Sequence, residues 1–238
     1  MSIEVSEEEG VRYLHFGTHW IQGAMRIARP WSLELDYTRE MMFPLLLHGG
    51  TWPRSVLVIG LGAASVTRFL YRHFPRTSQT IVEIDPAVVG VAQQHFRLPE
   101  ERASLRIEIG DGADYVMAST RSFDWILVDG FDAKGRAGEL DTLAFYCNCL
   151  ARLTDRGVVS VNLLTWRHAL RGSLDRMRAA FGADVLALPA CESGNVIALA
   201  SRGAPLTKPP KTLLQAAKKL RADTRLNLLP TLARMDTG

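Results

Sequence analysis

Four carboxylates follow short hydrophobic segments of this 238-residue chain, at positions where a side chain could bind a ligand or move a proton. They are Glu83, Asp111, Asp129 and Asp132. At the end of a strand, a carboxylate can accept both hydroxyls of a ribose, hydrogen-bond an adenine amino group, or take a proton from an amine. Each could instead be a helix cap or an ordinary loop acid. Their order along the chain favours a ligand site.

The segment before these acids is typical of a buried strand that ends in a glycine-rich turn. Val56–Ile59 is apolar and is followed directly by Gly60-Leu61-Gly62-Ala63-Ala64-Ser65. Gly60 and Gly62 would let the backbone approach a ligand, and the helix after them offers N–H groups and a positive dipole end. With Glu83 about two dozen residues later, the turn predicts a nucleoside-binding βαβ unit. A tight turn needed only for packing would use the same glycines.

Strand and helix patterns alternate along the chain, which predicts an α/β fold with a mostly parallel sheet and helices on both faces. The predicted strands are Val11–Phe16, Met25–Ala28, Val56–Ile59, Thr80–Ile84, Leu105–Ile109, Trp125–Val128, Val158–Leu163, Val185–Leu188 and Val196–Ala200. The predicted helices are Tyr37–His48, Ala64–His73, Pro86–His95, one that begins with Ala113–Met117, Leu143–Leu153 and His168–Phe181. The first two strands would form a short N-terminal β hairpin, and the last two would close the sheet as an antiparallel pair. Ligands should gather at the carboxyl ends of the parallel strands.

Composition divides the chain into an N-terminal β region plus helix at 1–50, the nucleoside-binding domain at 51–204 and a basic helical tail at 205–238. From Arg202 onward, Lys and Arg outnumber Asp and Glu by six, eight against two. Such a tail could contact nucleic acid or an acidic partner, but a solvated helix face is the favoured interpretation, so nucleic acid is not an expected partner. Helical spacing of apolar residues predicts that the tail docks a stripe formed by Leu213, Leu214, Ala217 and Leu220.

Several classes of protein are disfavoured by the sequence. No run of eighteen apolar residues is present, so we expect no membrane span, and the acidic N-terminus predicts no secretory signal. Three cysteines are too few for a disulfide scaffold and fit a reducing cytoplasm. The histidines lack metal-ligand spacing, and Cys147 and Cys149 would point in different directions on a helix. We therefore expect no metal site.

In this order, the motifs resemble the spermidine synthase (polyamine aminopropyltransferase) family, and more closely its divergent spermidine-synthase-like members. The resemblance runs from about Tyr13 to Ser201 and is carried by Trp20-Ile21-Gln22, Tyr37-Thr38-Arg39-Glu40-Met41, Val56–Ser65, Val82–Pro86, Gly110–Tyr115 and Asp124–Asp132. It implies a class I methyltransferase-like (Rossmann-like) fold. It also implies transfer of an aminopropyl group from decarboxylated S-adenosylmethionine to a small amine, as in polyamine biosynthesis, by a homodimer.

The resemblance assigns roles to the positions that match the family's motifs. The nucleoside cosubstrate would be bound by Gln22, Gly60, Gly62, Glu83, Asp111 and Gly112. Within that set, Glu83 would hold the ribose and Asp111 the adenine amino group. Asp129 would deprotonate the attacking amine, and Tyr37 and Asp132 would bind the amine substrate.

The chain also departs from the family's pattern. Ala63 occupies the position of an acid that faces the aminopropyl amine, the segment Pro189–Asn195 lacks the family's late tyrosine, and Tyr37 lies one place early. Loss of the acid at Ala63 could make room for a methionine carboxylate. This leaves open a methyltransferase that uses intact S-adenosylmethionine. A non-catalytic nucleoside-binding protein, with the basic tail as a contact surface, is the third interpretation.

Overall fold

A small antiparallel sheet precedes the main sheet in this computed structural model, which describes residues 2–17, 20–132, 135–164, 170–182 and 184–235. Its strands are β1 (Glu4–Glu8), β2 (Val11–His15) and β3 (Ile21–Arg26). The predicted hairpin therefore lacked one strand, because β1 is acidic and mostly exposed and so shows no apolar alternation. The predicted strand Met25–Ala28 was misplaced, since β3 begins at Ile21 and runs through Gly23. A Cβ on Gly23 would lie 2.5 Å from the Cβ of Ala63, so this strand needs a glycine where it crosses the glycine-rich turn.

The predicted single helix Tyr37–His48 is wrong, because the segment forms two short helices. They are α1 (Asp36–Glu40) and α2 (Pro44–Leu47). Pro44 has no N–H to donate and its ring would clash with the preceding turn of a continuous helix, so it starts a new helix instead.

The main sheet has seven strands in the order β6-β5-β4-β7-β8-β10-β9. They are β4 (Ser55–Ile59), β5 (Ser78–Glu83), β6 (Leu105–Ile109), β7 (Phe123–Val128), β8 (Leu153–Leu164), β9 (Val185–Ala187) and β10 (Asn195–Ser201). The strands from β6 to β8 pair in parallel, whereas β10 pairs antiparallel with β8 and β9. The predicted mostly parallel sheet, with an antiparallel pair of strands at one edge, is thus confirmed. The chain leaves β4 toward β5 on one side and later returns to β7 on the other, and such a switch point leaves a crevice at the carboxyl ends.

Helices cover both faces of this sheet, as predicted. They are α3 (Ser65–His73), α4 (Pro86–His95), α5 (Gly112–Ala118), α6 (Leu143–Arg152) and α7 (Leu170–Phe181), and the predicted start of the last, at His168, falls outside the described residues. Alternate residues of β4 enter two different apolar clusters: Val56 and Val58 pack on one face, and Leu57 and Ile59 on the other. The strand is therefore buried on both sides.

The turn predicted at Asp155-Arg156-Gly157 lies inside β8 as an irregularity of its pairing with β7. Phe123 pairs with Leu153, but Trp125 already pairs with Val158. The extra residues of β8 are accommodated there, and the Thr154 hydroxyl ties them to Asp124 at 2.9 Å. The strand consequently begins earlier than the sequence predicted.

The basic tail forms α8 (Pro210–Thr224) and α9 (Leu229–Met235). It packs on the apolar cluster that contains Val56 and Val58 of β4. Leu213 and Ala217 are buried there, which confirms the predicted docking, whereas Leu214 is 42% exposed and does not belong to the stripe. Within the described ranges, no helix is long and apolar enough to cross a membrane.

Candidate active site

The turn after β4 brings Gly60 against the backbone of Asp129 at the end of β7. Gly60 has a φ of +89°, and a Cβ on it would lie 2.1 Å from the Asp129 carbonyl oxygen. The Asp129 N–H donates to the Ile59 carbonyl oxygen at 2.9 Å, which fixes the two strand ends together. The need for glycine at position 60 therefore comes from packing between these strands. Gly62, with a φ of +49°, lies further along the turn.

Glu83, the last residue of β5, is buried and supports the same turn. One carboxylate oxygen accepts the Leu61 N–H at 2.8 Å, and the other accepts the Asp85 N–H at 3.0 Å. Each carboxylate oxygen has two lone pairs, so Glu83 can hold the turn and still accept ligand hydroxyls. Asp85 accepts the Ala87 N–H at 2.9 Å and thus acts as the N-cap of α4.

Asp111 and Gly112 place the start of α5 beside the end of β4. Oδ1 of Asp111 accepts the N–H groups of Ala113 and Asp114 at 2.7 and 3.1 Å. Both bonds use one oxygen, so the second is available to a donor such as an amino group. A Cβ on Gly112 would lie 2.3 Å from the Ile59 side chain, so this glycine lets α5 approach the sheet.

These elements enclose a cavity of about 290 Å³, called the nucleoside-side cavity below. Its lining includes Gly60, Gly62, Glu83, Asp111, Gly112 and Asp129. Carboxylate oxygens around a pocket of this kind suit the hydroxyl and amino donors of a nucleoside. The structure thus brings together most of the residues predicted to bind the cosubstrate.

Asp129 is held by two side-chain hydrogen bonds. The Asn162 amide donates to its Oδ1 at 2.8 Å, and the Tyr37 hydroxyl hydrogen-bonds the same carboxylate. Burial raises the pKa of Asp129, with a smaller push from the charge of Glu83, while the two hydrogen bonds oppose that rise. Burial, helped by the Asp129 charge, also raises the pKa of Tyr37 well above its usual value. Tyr37 therefore stays protonated as a donor, and Asp129 is a stronger base than an exposed aspartate.

A chain of polar side chains leads away from Asp129 through β8 and β10. Ser193 donates to the side-chain oxygen of Asn195 at 2.7 Å, and Asn195 donates to Asn162 at 2.8 Å. Sequence reasoning missed Asn162 and Asn195 as site residues. The available signal was a polar residue, Asn162, inside an otherwise apolar buried strand.

A larger cavity of about 670 Å³ lies on the other side of Asp129 and is called the amine-side cavity below. Its lining includes Trp20, Gln22, Glu34, Asp36, Tyr37 and Asn162. The described residues of this lining include three carboxylates and no lysine or arginine. Glu34 and Asp36 are already paired with Arg26 and Arg39. Within the described chain Asp129 has no such partner, so it is the carboxylate of this lining that remains without a basic side chain beside it.

Among the residues that the structure describes, three line both cavities: Gly62, Asp129 and Phe131. Asp129 therefore faces two ligand spaces at once. A carboxylate at such a junction can take a proton from a group on one side while that group reacts with a ligand on the other. Tyr37 and Gln22 line only the larger of these two spaces.

Asp132 is the residue to which the resemblance assigned binding of the amine. It lines the nucleoside-side cavity and not the amine-side cavity. Its Oδ2 accepts a hydrogen bond from the Arg136 Nε at 2.7 Å, and its Oδ1 accepts the Arg136 N–H at 2.9 Å. Asp132 therefore forms an ion pair with Arg136. Its expected contact with an amine substrate stays a prediction.

Ala63 packs into the N-terminal sheet, where it is 2% exposed. The cavity beside it measures about 20 Å³. That is close to the space of one water molecule, since about 10–15 Å³ is the minimum for a water. The missing acid has therefore not opened room for a carboxylate. The described residues also include no group of three His, Cys, Asp or Glu side chains arranged to hold a metal ion.

The fold and site define a methyltransferase-like α/β protein with a carboxylate, Asp129, between two cavities. The crystal structure of human methyltransferase-like protein 13 in complex with SAH aligns with a TM-score of 0.72 at 23% identity, covering 80% of this chain and 93% of that one. A probable spermidine synthase from Corynebacterium glutamicum aligns with a TM-score of 0.77 at 19% identity, covering 92% and 83%. At these identities the two structures establish the fold alone, and they confirm the class predicted from the sequence.

Sequence similarity establishes the family. Residues 35–167 match the Spermine/spermidine synthase domain. The polyamine aminopropyltransferase of Chromobacterium violaceum is 38% identical over 203 residues, which cover 85% of this chain and 77% of that protein. This chain belongs to the spermine/spermidine synthase family, as its motifs predicted, and that is a family of transferases.

Proposed function

We propose that this protein is an aminopropyltransferase of polyamine biosynthesis, which uses decarboxylated S-adenosylmethionine and a small amine. The observation that carries the proposal is the position of Asp129, a carboxylate of raised pKa that lines both cavities. A base is needed there because an alkylamine has a pKa of about 10 and is protonated near neutral pH.

The cosubstrate would occupy the nucleoside-side cavity. Glu83 would accept the ribose hydroxyls while it supports the turn, and Asp111 would accept the adenine amino group. Gly62 lines both cavities, so the sulfonium end of the cosubstrate would lie near Asp129. Gln22 would contact the cosubstrate from the other cavity, where it lies beside Tyr37.

The amine would enter the amine-side cavity. Its methylene chain would pack on the apolar residues Trp20, Leu35 and Leu164, and its cationic nitrogen would approach Asp129. Asp129 takes a proton from that nitrogen, and the nitrogen lone pair attacks the methylene carbon next to sulfur. The carbon–sulfur bond breaks, its electrons neutralise the sulfonium, and methylthioadenosine leaves. Alignment of the two substrates across the junction would supply much of the acceleration.

Two features favour the decarboxylated cosubstrate over intact S-adenosylmethionine. The unpaired negative charge of Asp129 would repel a methionine carboxylate in the amine-side cavity. The space beside Ala63 holds about one water molecule, so it offers no alternative place for that carboxylate. Methyl transfer from the intact cosubstrate is therefore the weaker candidate, although it uses the same fold.

The test is release of methylthioadenosine by the purified protein, measured by chromatography. Decarboxylated S-adenosylmethionine is supplied with putrescine, cadaverine or spermidine, and a parallel reaction contains intact S-adenosylmethionine with a labelled methyl group. Release that requires an amine supports the proposal. Transfer of the labelled methyl group would identify a methyltransferase, and tight methylthioadenosine binding without turnover would identify a nucleoside-binding protein.

We further propose that the protein works in the cytoplasm as a homodimer. The described structure holds its three cysteines as free thiols, in keeping with a reducing compartment. Light scattering of the purified protein at micromolar concentration would test the dimer, and a monomeric mass would refute it.

A further inference from the structure

A buried carboxylate outside both cavities joins the C-terminal helix to the rest of the protein. Glu40 ends α1 and is 2% exposed. Its Oε1 accepts a hydrogen bond from the Thr231 hydroxyl of α9 at 3.1 Å and is paired with the Arg234 guanidinium of the same helix. Its Oε2 accepts a hydrogen bond from the Cys191 thiol at 3.0 Å. In the part of the chain that the structure describes, Arg234 is the one basic side chain paired with Glu40.

Glu40 is connected to Asp129 through two segments, helix α1 and the turn that begins at Cys191. Tyr37 lies on α1 with Glu40, less than one helical turn earlier, and hydrogen-bonds the Asp129 carboxylate. Cys191 begins a turn in which its N–H donates to the Asn195 carbonyl oxygen at 2.8 Å. Asn195 belongs to the hydrogen-bond chain that ends on Asp129. Glu40 thus lies on the helix that carries Tyr37 and is bonded to the turn that leads to Asn195.

We propose that α9 is a clamp that positions the amine-binding half of the site. Arg234 and Thr231 hold Glu40, and Glu40 holds both α1 and the Cys191–Asn195 turn in place beside Asp129. The kinetic consequence rests on the proposed function, whereas the contacts themselves do not depend on the substrate. The basic tail then has one specific task, the neutralisation of a buried carboxylate.

The reasoning depends on the cost of a buried charge. Without Arg234, the Glu40 carboxylate would either take up a proton or turn toward solvent, because an unpaired buried charge is strongly unfavourable. Either change weakens its bonds to Thr231 and Cys191. The described lining of the nucleoside-side cavity includes no residue of α1, α9 or the Cys191–Asn195 turn. Binding of the nucleoside should therefore be spared.

The first test is kinetic and uses Arg234→Met, which removes the charge but keeps much of the side-chain volume. We expect KM for the amine to rise and kcat to fall, each by about tenfold, because small displacements of reacting groups are costly. The dissociation constant of methylthioadenosine, measured by calorimetry, should change by less than about twofold, because its cavity is not touched. Arg234→Lys should recover part of the loss. Arg221→Met, at an exposed position of α8, removes one tail charge as the matched control.

The double variant Glu40→Gln with Arg234→Met separates the clamp from general destabilisation. It removes the buried charge together with its partner, so it should recover amine binding relative to Arg234→Met alone. A purely structural contribution of Arg234 would lower the amount of active protein but leave KM for the amine and the pH profile unchanged. That result, or an equal loss of methylthioadenosine binding, would overturn the proposal.

The second test needs no turnover and follows the reactivity of Cys191. Burial and the hydrogen bond to Glu40 raise the pKa of this thiol to about 12, so it should react slowly with a disulfide reagent. In a Cys147→Ser background, which removes the exposed thiol, Arg234→Met should speed labelling of Cys191 by about tenfold or more through local opening. Peptide mass spectrometry identifies the labelled residue. If Arg234→Met leaves the labelling rate of Cys191 unchanged, the clamp is overturned even if the protein is an active enzyme. If Arg234→Met speeds labelling but the wild-type protein has no activity, only the proposed function is refuted.

Discussion

Replacement of Asp129 by asparagine tests the proposed base with little change of shape. Asparagine keeps an oxygen that can accept the Asn162 amide, now found at 2.8 Å from the carboxylate. Its amide group can also remain close to the Tyr37 hydroxyl. The site should therefore keep its geometry and lose only the group that accepts the proton.

The size of the effect follows from the amine. With a pKa of about 10, roughly one amine in a thousand is neutral at pH 7. Without a base, the reaction must use that fraction, so kcat/KM should fall by about a thousandfold at pH 7, within the range of about 10²–10⁴ for general bases. Each further pH unit raises the neutral fraction about tenfold, so the variant should regain activity steadily up to about pH 10.

The assay is initial-rate release of methylthioadenosine across this pH range, with Asp132→Asn as the matched control. Asp132 is paired with Arg136 and lies outside the amine-side cavity, so its replacement should cost far less than that of Asp129. If kcat/KM of Asp129→Asn at pH 7 were less than about tenfold below that of the wild type, or if its pH profile matched the wild type, Asp129 would not be the base.

The same variant has a consequence for stability. Burial raises the pKa of Asp129, so the native state binds its proton more tightly than the unfolded state does. The stabilisation from that proton is complete below the unfolded pKa and is lost as the pH rises through the folded pKa. At pH 7, well above the unfolded pKa, Asp129 is therefore a net cost to stability. Asp129→Asn removes it, and its thermal midpoint at pH 7 should equal or exceed that of the wild type.

Three further predictions concern neighbouring residues. Gly60→Ala should lower the thermal midpoint in a melting experiment, because its Cβ would lie 2.1 Å from the Asp129 carbonyl oxygen. A midpoint equal to the wild type would show that the turn adapts. Glu83→Gln should weaken methylthioadenosine binding by about tenfold or more in calorimetry, since hydrogen bonds to a charged acceptor contribute about 1.5–3 kcal/mol. Unchanged affinity would place the nucleoside elsewhere. Asn162→Ala removes a hydrogen bond that lowers the pKa of Asp129, so the acid limb of kcat/KM should move to higher pH, and a shift to lower pH would contradict the reasoning.

Local sequence signals predicted several elements of the fold correctly. Helix α4 begins and ends as predicted because Pro86 suits a first turn and Asp85 caps it. Strand β6 also matches the predicted range Leu105–Ile109. The main error among the helices, the continuous helix Tyr37–His48, arose where an apolar pattern continued across a proline.

The polar chain behind Asp129 could not be predicted because it depends on strand register. The antiparallel pairing of β10 with β8 places Ile197 opposite Asn162 and Leu164 opposite Asn195. In this register the two asparagine side chains lie within hydrogen-bond distance, at 2.8 Å. A shift by one residue would turn each side chain to the opposite face of the sheet. Sequence patterns identify the strands, but the register of distant segments comes from the packed structure.

Gly60 changes in meaning between the sequence and the structure. As part of a motif it indicates close approach of a ligand. In the structure, the carbonyl group of Asp129 occupies the space that a Cβ on residue 60 would need. The turn that would bind the cosubstrate and the residue that would deprotonate the amine are thus in direct backbone contact. Glu83 bonds the next residue of the same turn, Leu61, at 2.8 Å. A substitution that displaces either strand end should therefore affect both the proposed cosubstrate site and the proposed base.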